Sequence, residues 1–236
     1  QESSLKVSRQ VTKRIELFED NGSGFTFYSE ALGVIGLSFR GTEDRMQLVQ
    51  EVEETVFDAK VPFEDCGQTS KYFDGAFRKL WNGGLGDDLL GLMQRFPVYT
   101  LYITGHSLGG ALASLASTYV AARGYFPTEK ILLHTFGQPR TGDRAYANAH
   151  DSLVPNSYRI VHNRDLVAHV PPEQMNYEHH RFEVFYDNAM MIGEPYTVCD
   201  RDEDRRCSDE YIFDSSVSDH TRYYGREVAD YGRNGC

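Results

Sequence analysis

Hydrophobic and polar positions along this chain switch repeatedly between a strand period and a helix period. Residues 25–28 and 34–40 are short runs of aromatic and β-branched side chains around a turn near Leu32-Gly33, and they predict two strands. In residues 43–57 the apolar positions Met46, Val49, Val52 and Val56 lie three, three and four apart with acids between them, the spacing of an amphipathic helix. Residues 68–80 and 86–96 also read as helical, split by Asn82-Gly83-Gly84, and Pro97 stops the second. Residues 98–104 predict a strand, the small helix formers of 108–123 a helix, and Gly124 its stop. Strand 130–136, helix 142–151 and strands 157–162 and 181–186 follow.

This interleaving predicts the α/β class, with one mostly parallel sheet and helices on both faces. In such sheets a site lies at the carboxyl ends of the strands. The length of 236 residues suits one domain with a full core, and no repeat, linker or low-complexity tract divides it, so residues 1–236 are expected to form a single domain. Apolar residues at 40% and no long uninterrupted apolar run argue against a transmembrane helix.

Charge narrows the partners. With 24 basic and 35 acidic side chains the net charge is −11, which argues against nucleic acid and against docking on anionic lipid by charge alone. An uncharged substrate or a neutral lipid interface is compatible with it. The chain opens on Gln1, and its first ten residues carry no apolar run of a signal peptide, so a processed or truncated N-terminus is expected.

Of the four cysteines, Cys199 and Cys207 bracket seven residues that are all charged, Asp200 to Arg206. Such a loop is expected not to pack as core, and a disulfide at its base would hold it closed. The spacing is not that of a zinc site. Cys66 and Cys236 either pair with each other, or Cys236 has lost a partner in a missing N-terminal segment. A disulfide and the sequon Asn21-Gly22-Ser23 both point to secretion.

The chemistry concentrates in Gly105-His106-Ser107-Leu108-Gly109, between a strand and a helix. This is the G-x-S-x-G nucleophile elbow of the α/β-hydrolases. A serine hydroxyl is a weak nucleophile and must stand exposed at a sharp turn where a base reaches it. A base and an acid should follow in the order acid, then histidine. Asp165 comes directly after strand 157–162, at its carboxyl end, whereas Asp143 and Asp151 lie in the preceding helix region. By order alone His169, His179, His180 and His220 all qualify as the base. A metal site from His179 and His180 with His162 or His169 lacks diagnostic spacing, so a structural role is expected for the pair, with no metal and no cofactor.

Four stretches together resemble the class 3 lipases, the fungal-type family that also holds feruloyl esterases. They are Ser38-Phe39-Arg40-Gly41-Thr42, Thr104 to Ala111, Phe136-Gly137-Gln138-Pro139-Arg140-Thr141-Gly142-Asp143, and Val161-His162-Asn163-Arg164-Asp165 with Val170-Pro171-Pro172; Asp219-His220 with Tyr223 completes the pattern. The resemblance implies an α/β-hydrolase fold with Ser107 as nucleophile, Asp165 as acid and His220 as base. It also implies an oxyanion hole from the backbone N–H groups of Thr42 and Leu108, and a mobile lid after Thr42, where helix 43–57 falls. The family's usual helical segment before the first strand is expected to be absent here. Glu43 to Gln50 is polar and has no aromatic residue, unlike the apolar lids of enzymes that work on oil. The expected function is therefore carboxylic ester hydrolysis on acylglycerols. An esterase for short or aromatic dissolved esters, and an inactive homologue that binds lipid or protein, are the alternatives.

Overall fold

The computed structural model describes residues 5–15, 21–41, 57, 59–211 and 214–233. Strands β1 (Lys6–Arg14), β2 (Asn21–Ser29) and β3 (Val34–Phe39) form an antiparallel meander. A small ribbon of β4 (Lys60–Pro62) and β5 (Gln68–Ser70) leads into α1 (Lys71–Leu80) and α2 (Gly86–Arg95). Then come β6 (Thr100–His106), α3 (Leu108–Ala122), β7 (Ile131–Phe136), α4 (Arg144–Leu153) and β8 (Ser157–His162). The chain continues through β9 (Glu183–Tyr186), β10 (Thr197–Cys199), the short α5 (Val217–Thr221), the hairpin of β11 (Arg222–Tyr223) and β12 (Arg226–Glu227), and α6 (Val228–Arg233).

Eight strands make one sheet in the order β1-β2-β3-β6-β7-β8-β9-β10. The five from β3 to β9 are parallel, and both margins are antiparallel, as the α/β-hydrolase expectation requires. Helix α3 is apolar on nearly every side because it is buried on nearly every side. Its polar residues are satisfied internally: Ser114 Oγ lies 2.8 Å from the Tyr146 hydroxyl, and Thr118 Oγ1 lies 2.8 Å from His150 Nδ1. Ile35, Leu37, Leu101, Ile103, Ile131 and Leu133 point from the sheet into this helical layer. The opposite face is covered near its carboxyl end by Met190, Tyr223 and Val228, packed on Ile160, Tyr186 and Phe136.

Several boundaries differ from the sequence expectation. The strand expected at 98–104 runs from Thr100 to His106, so the first residues of the elbow are still strand. The helices expected at 68–80 and 86–96 meet in a wide turn, Trp81–Leu85, where Gly84 takes φ 121°. The helix expected over 43–57 lies outside the described residues except for Phe57, which is buried against Phe73 and Tyr177. Strand β1 was not anticipated because it is an edge strand with one buried residue, Val11. Its other residues, Lys6, Arg9, Lys13 and Arg14 among them, are exposed, a pattern that carries little hydrophobic signal.

The charged loop corrects a second expectation. Cys199 and Cys207 form a disulfide, and one carboxylate of the enclosed segment, Glu203, turns inward onto a buried arginine. Glu203 makes paired 2.8 Å bonds to Arg140, which is 1% exposed, whereas Asp204 stays within the loop and accepts from Arg206 Nε at 3.0 Å. The loop packs because Arg140 and Arg159 are buried beneath it and need anionic and carbonyl partners. Burial opposes charge on Arg140, yet Glu203 raises its pKa; burial likewise opposes the Glu203 carboxylate, and Arg140 lowers its pKa overall. Cys66 is a free, buried thiol, and Cys236 lies outside the described residues.

Candidate active site

The last residue of β6 hands over to Ser107, and α3 begins one residue later. Ser107 has φ 60° and ψ −131°, a conformation that costs a non-glycine residue about 1–3 kcal/mol. Its neighbours explain how the turn closes. A Cβ on Gly105 would overlap the Gly109 carbonyl, and a Cβ on Gly109 would overlap the Phe39 carbonyl. The two glycines thus let β3, β6 and α3 converge on one point. The Ser107 N–H donates to the Phe136 carbonyl at 2.9 Å, fixing the turn to the end of β7. Leu108, at the first position of α3, has a backbone N–H without an acceptor inside the helix.

Asp165 follows β8 and is fully buried. Its side chain caps the one-turn helix Leu166–His169, taking the Val167 N–H on Oδ1 at 2.8 Å. His220 sits on α5, which Ser216 caps through the Asp219 N–H at 3.2 Å. The two loops are strapped together. Ser216 N–H donates to the Arg164 carbonyl at 2.6 Å, and Asp219 Oδ2 accepts from Asn163 Nδ2 at 3.0 Å. That strap brings His220 Nδ1 to 2.9 and 3.0 Å from the two oxygens of Asp165.

An ionised carboxylate is an acceptor only, so it holds the proton on Nδ1 and leaves the Nε2 lone pair available as a base. The Tyr223 hydroxyl adds a 2.6 Å donation to Asp165 Oδ2. Burial alone would raise the Asp165 pKa. The charge and hydrogen bonds of His220, with Tyr223 behind them, reverse this and hold it down at about 2.

Two more residues join the acid–histidine pair to the serine. The ring of His106, the residue before Ser107, stacks on His220 with centroids 4.5 Å apart, and its Nε2–H donates to the His220 carbonyl at 2.8 Å. Gly137, with φ 54°, lies directly against the pair; a Cβ there would sit 2.5 Å from Asp165 Oδ2 and 2.8 Å from His220 Nδ1. Gly41 packs on the other side, where a Cβ would lie 3.1 Å from Ser107 Cβ. Thr42 itself lies outside the described residues.

The remaining candidates occupy other places. Asp143 caps α4 through the Tyr146 N–H at 2.9 Å, and Asp151 accepts the Arg181 N–H at 2.9 Å. His179 donates to the Ala168 carbonyl at 2.7 Å, and His180 stacks on His150 at 3.9 Å. Burial, with Arg159 nearby, drives both His179 and His180 well below the usual histidine range, so both are neutral at pH 7. His169 is buried 3.7 Å from Asp209. Only His220 of the four possible bases meets Asp165. Sequence reasoning gave no role to His106 and Gly137, since their contacts join segments far apart in the chain.

The model of the family described as Lipase (class 3) matches residues 36–175. The chain is 34% identical over 244 residues to the lipase ZK262.3 of Caenorhabditis elegans, covering 91% of this chain and 68% of that one. It is 36% identical over 102 residues to the secreted mono- and diacylglycerol lipase 1 of Fusarium solani, covering 43% of this chain and 29% of that one. Against its fungal relatives it spans between 29% and 53% of their length. The crystal structure of a lipase from Rhizopus microsporus var. chinensis superposes with a TM-score of 0.84 at 26% identity, over 94% of this chain and 75% of that one.

Proposed function

The chain belongs to the class 3 lipase family, and from that membership we propose that it hydrolyses the esters of acylglycerols through Ser107, His220 and Asp165. His220 Nε2 removes the Ser107 hydroxyl proton as Oγ attacks the ester carbonyl carbon. The N–H groups of Leu108 and Thr42 hold the negative oxygen of the tetrahedral intermediate. Its collapse breaks the bond to the alcohol, which leaves with the proton from His220, and the acyl group remains on Ser107. Water then repeats the sequence, giving up its proton to His220 and releasing the fatty acid. Asp165 keeps the His220 ring oriented and stabilises its charged form. No step needs a metal or an organic cofactor.

The observation that carries this reading is the 2.9 Å bond from His220 Nδ1 to a fully buried Asp165, on a histidine stacked against the neighbour of Ser107. A fluorophosphonate should label Ser107 in the folded protein and fail to label Ser107→Ala, whose turnover falls by several orders of magnitude. Wild-type turnover by Ser107→Ala would refute the assignment. The polar segment Glu43–Gln50 favours a second reading, an esterase of dissolved short-chain or feruloyl-type esters. A chain-length series separates the two: turnover limited to dissolved esters, with no gain at an emulsion, selects the second.

Secretion fits the Cys199–Cys207 disulfide and the relative whose name describes it as secreted. Among the described residues no helix is long and apolar enough to cross a membrane.

A further inference from the structure

The loop between β9 and β10 presents an apolar tip to solvent. Ile192 is 81% exposed and Met191 51%, and behind them Tyr196 and Val198 are 58% and 49% exposed. Isolated exposed apolar residues need no explanation, but four on one loop and its returning strand do.

This loop is built rather than loose. Met190 is fully buried and anchors it, packed with Ile160, Tyr186 and Tyr223. The Met191 N–H donates to Glu194 Oε2 at 2.7 Å, the Glu194 N–H returns to the Met191 carbonyl at 3.0 Å, and Asn188 Nδ2 donates to the Pro195 carbonyl at 2.8 Å. The backbone is therefore held closed while two large apolar side chains stay in water.

Topology puts this tip at the reacting end of the molecule. β9 is parallel to β8, so its carboxyl end opens on the same sheet edge as Ser107 after β6, Gly137 after β7 and Asp165 after β8. The connection is also direct. His162 lies between the Asp219 carbonyl at 3.0 Å, next to His220, and the Asn188 carbonyl at 3.1 Å, in the loop. The Met191 side chain also lies against Gly225, in the hairpin that follows His220.

Charge selects the partner. Between Asp187 and Val198 the only charged residues are Asp187 and Glu194, on a chain of net charge −11. Nothing on the loop attracts an anionic headgroup, whereas an uncharged ester surface meets no repulsion.

We propose that the β9–β10 loop, with Met191 and Ile192 at its tip, docks a neutral acylglycerol surface against the sheet edge that carries Ser107. This rests on reading the chain as a lipase, and it adds an anchor separate from the segment after Thr42. Met and Ile supply buried area on docking, and Tyr196 supplies a ring with a polar end suited to the boundary layer.

The whole chain carrying Ser107→Ala, which leaves droplets unconsumed, is mixed with trioctanoylglycerol droplets and bound protein is read by flotation. Adding Ile192→Ser should weaken partitioning about tenfold, Met191→Ser with Ile192→Ser should weaken it further, and Ile192→Leu should restore it. In the Ser107 protein the same tip changes should leave kcat/KM on a dissolved short-chain ester within about twofold. Undiminished partitioning of the double variant overturns the anchor, as does tip-dependent binding that is stronger on phosphatidylglycerol vesicles than on droplets. Failure of the hydrolase reading shows separately, as no turnover of the dissolved ester by the Ser107 protein.

Discussion

The Tyr223 hydroxyl and the His220 ring share one oxygen: Oδ2 of Asp165 accepts from Tyr223 at 2.6 Å and lies 3.0 Å from His220 Nδ1. The carboxylate is fully buried and held from two directions, so its orientation is fixed before any substrate arrives.

Tyr223→Phe removes one of these donors without changing the shape of the ring. A hydrogen bond to a buried charge contributes about 1.5–3 kcal/mol, so kcat/KM should fall roughly 10-fold to 100-fold with the fold retained. Ester turnover together with urea unfolding checks this; unchanged kcat/KM would show that Asp165 does not need the hydroxyl.

Acid should unfold the protein partly through Asp165. Its folded pKa of about 2 lies below the ordinary aspartate value of about 3.9. The stabilisation is therefore complete above about pH 4 and is lost as pH falls toward 2, an effect of about 2–3 kcal/mol for this fully buried group. Asp165→Asn should flatten that part of the stability curve, measured by denaturant unfolding from pH 5 to 2.

Asp202 has the opposite sign. Burial, then the charges of Asp151 and Glu178, lift its pKa to about 6. Its ionisation opposes folding, so stability declines as pH rises from about 4 through 6. Asp202→Asn should raise Tm at pH 8 and have little effect below pH 4. Solvent reaches this group, so the gain should stay near or below about 1 kcal/mol.

Gly137→Ala places a methyl group against both Asp165 Oδ2 and His220 Nδ1, at a residue with φ 54°. Displacing the pair by about 1 Å should lower kcat about 100-fold. Crystal coordinates of the variant should show the His220–Asp165 bond lengthened; full activity would mean that the site yields freely.

Arg140→Met leaves Glu203 half-enclosed without its partner and frees the His169 and Pro171 carbonyls that Arg140 Nη1 now holds at 2.7 and 3.1 Å. Breaking a buried pair from one side costs about 3–5 kcal/mol. Reducing Cys199–Cys207 releases the same loop and should cost about 2–3 kcal/mol, with both effects read by thermal unfolding.

The elements around Ser107 were legible because each carries its own local signal. The strand before it is β-branched and aromatic, the helix after it is rich in alanine, and the glycines mark the turn. Asp165 was legible from its place after a strand. His220 was not separable from His169, His179 and His180 by order alone, because the strap from Ser216 to Arg164 that selects it is a tertiary contact. The inward turn of Glu203 was hidden for a similar reason. A charged run reads as solvated until the buried Arg140 and Arg159 are known to lie beneath it.

The bond from His106 Nε2 to the His220 carbonyl spans 114 residues, and it joins the residue before Ser107 to the histidine that meets Asp165. During synthesis at about 5–20 residues per second, the serine turn emerges roughly 6–23 seconds before His220. The sheet strands up to β8 can assemble around Ser107 in that interval, so the proposed pairing of Ser107 with His220 is completed only after the scaffold that holds the serine turn.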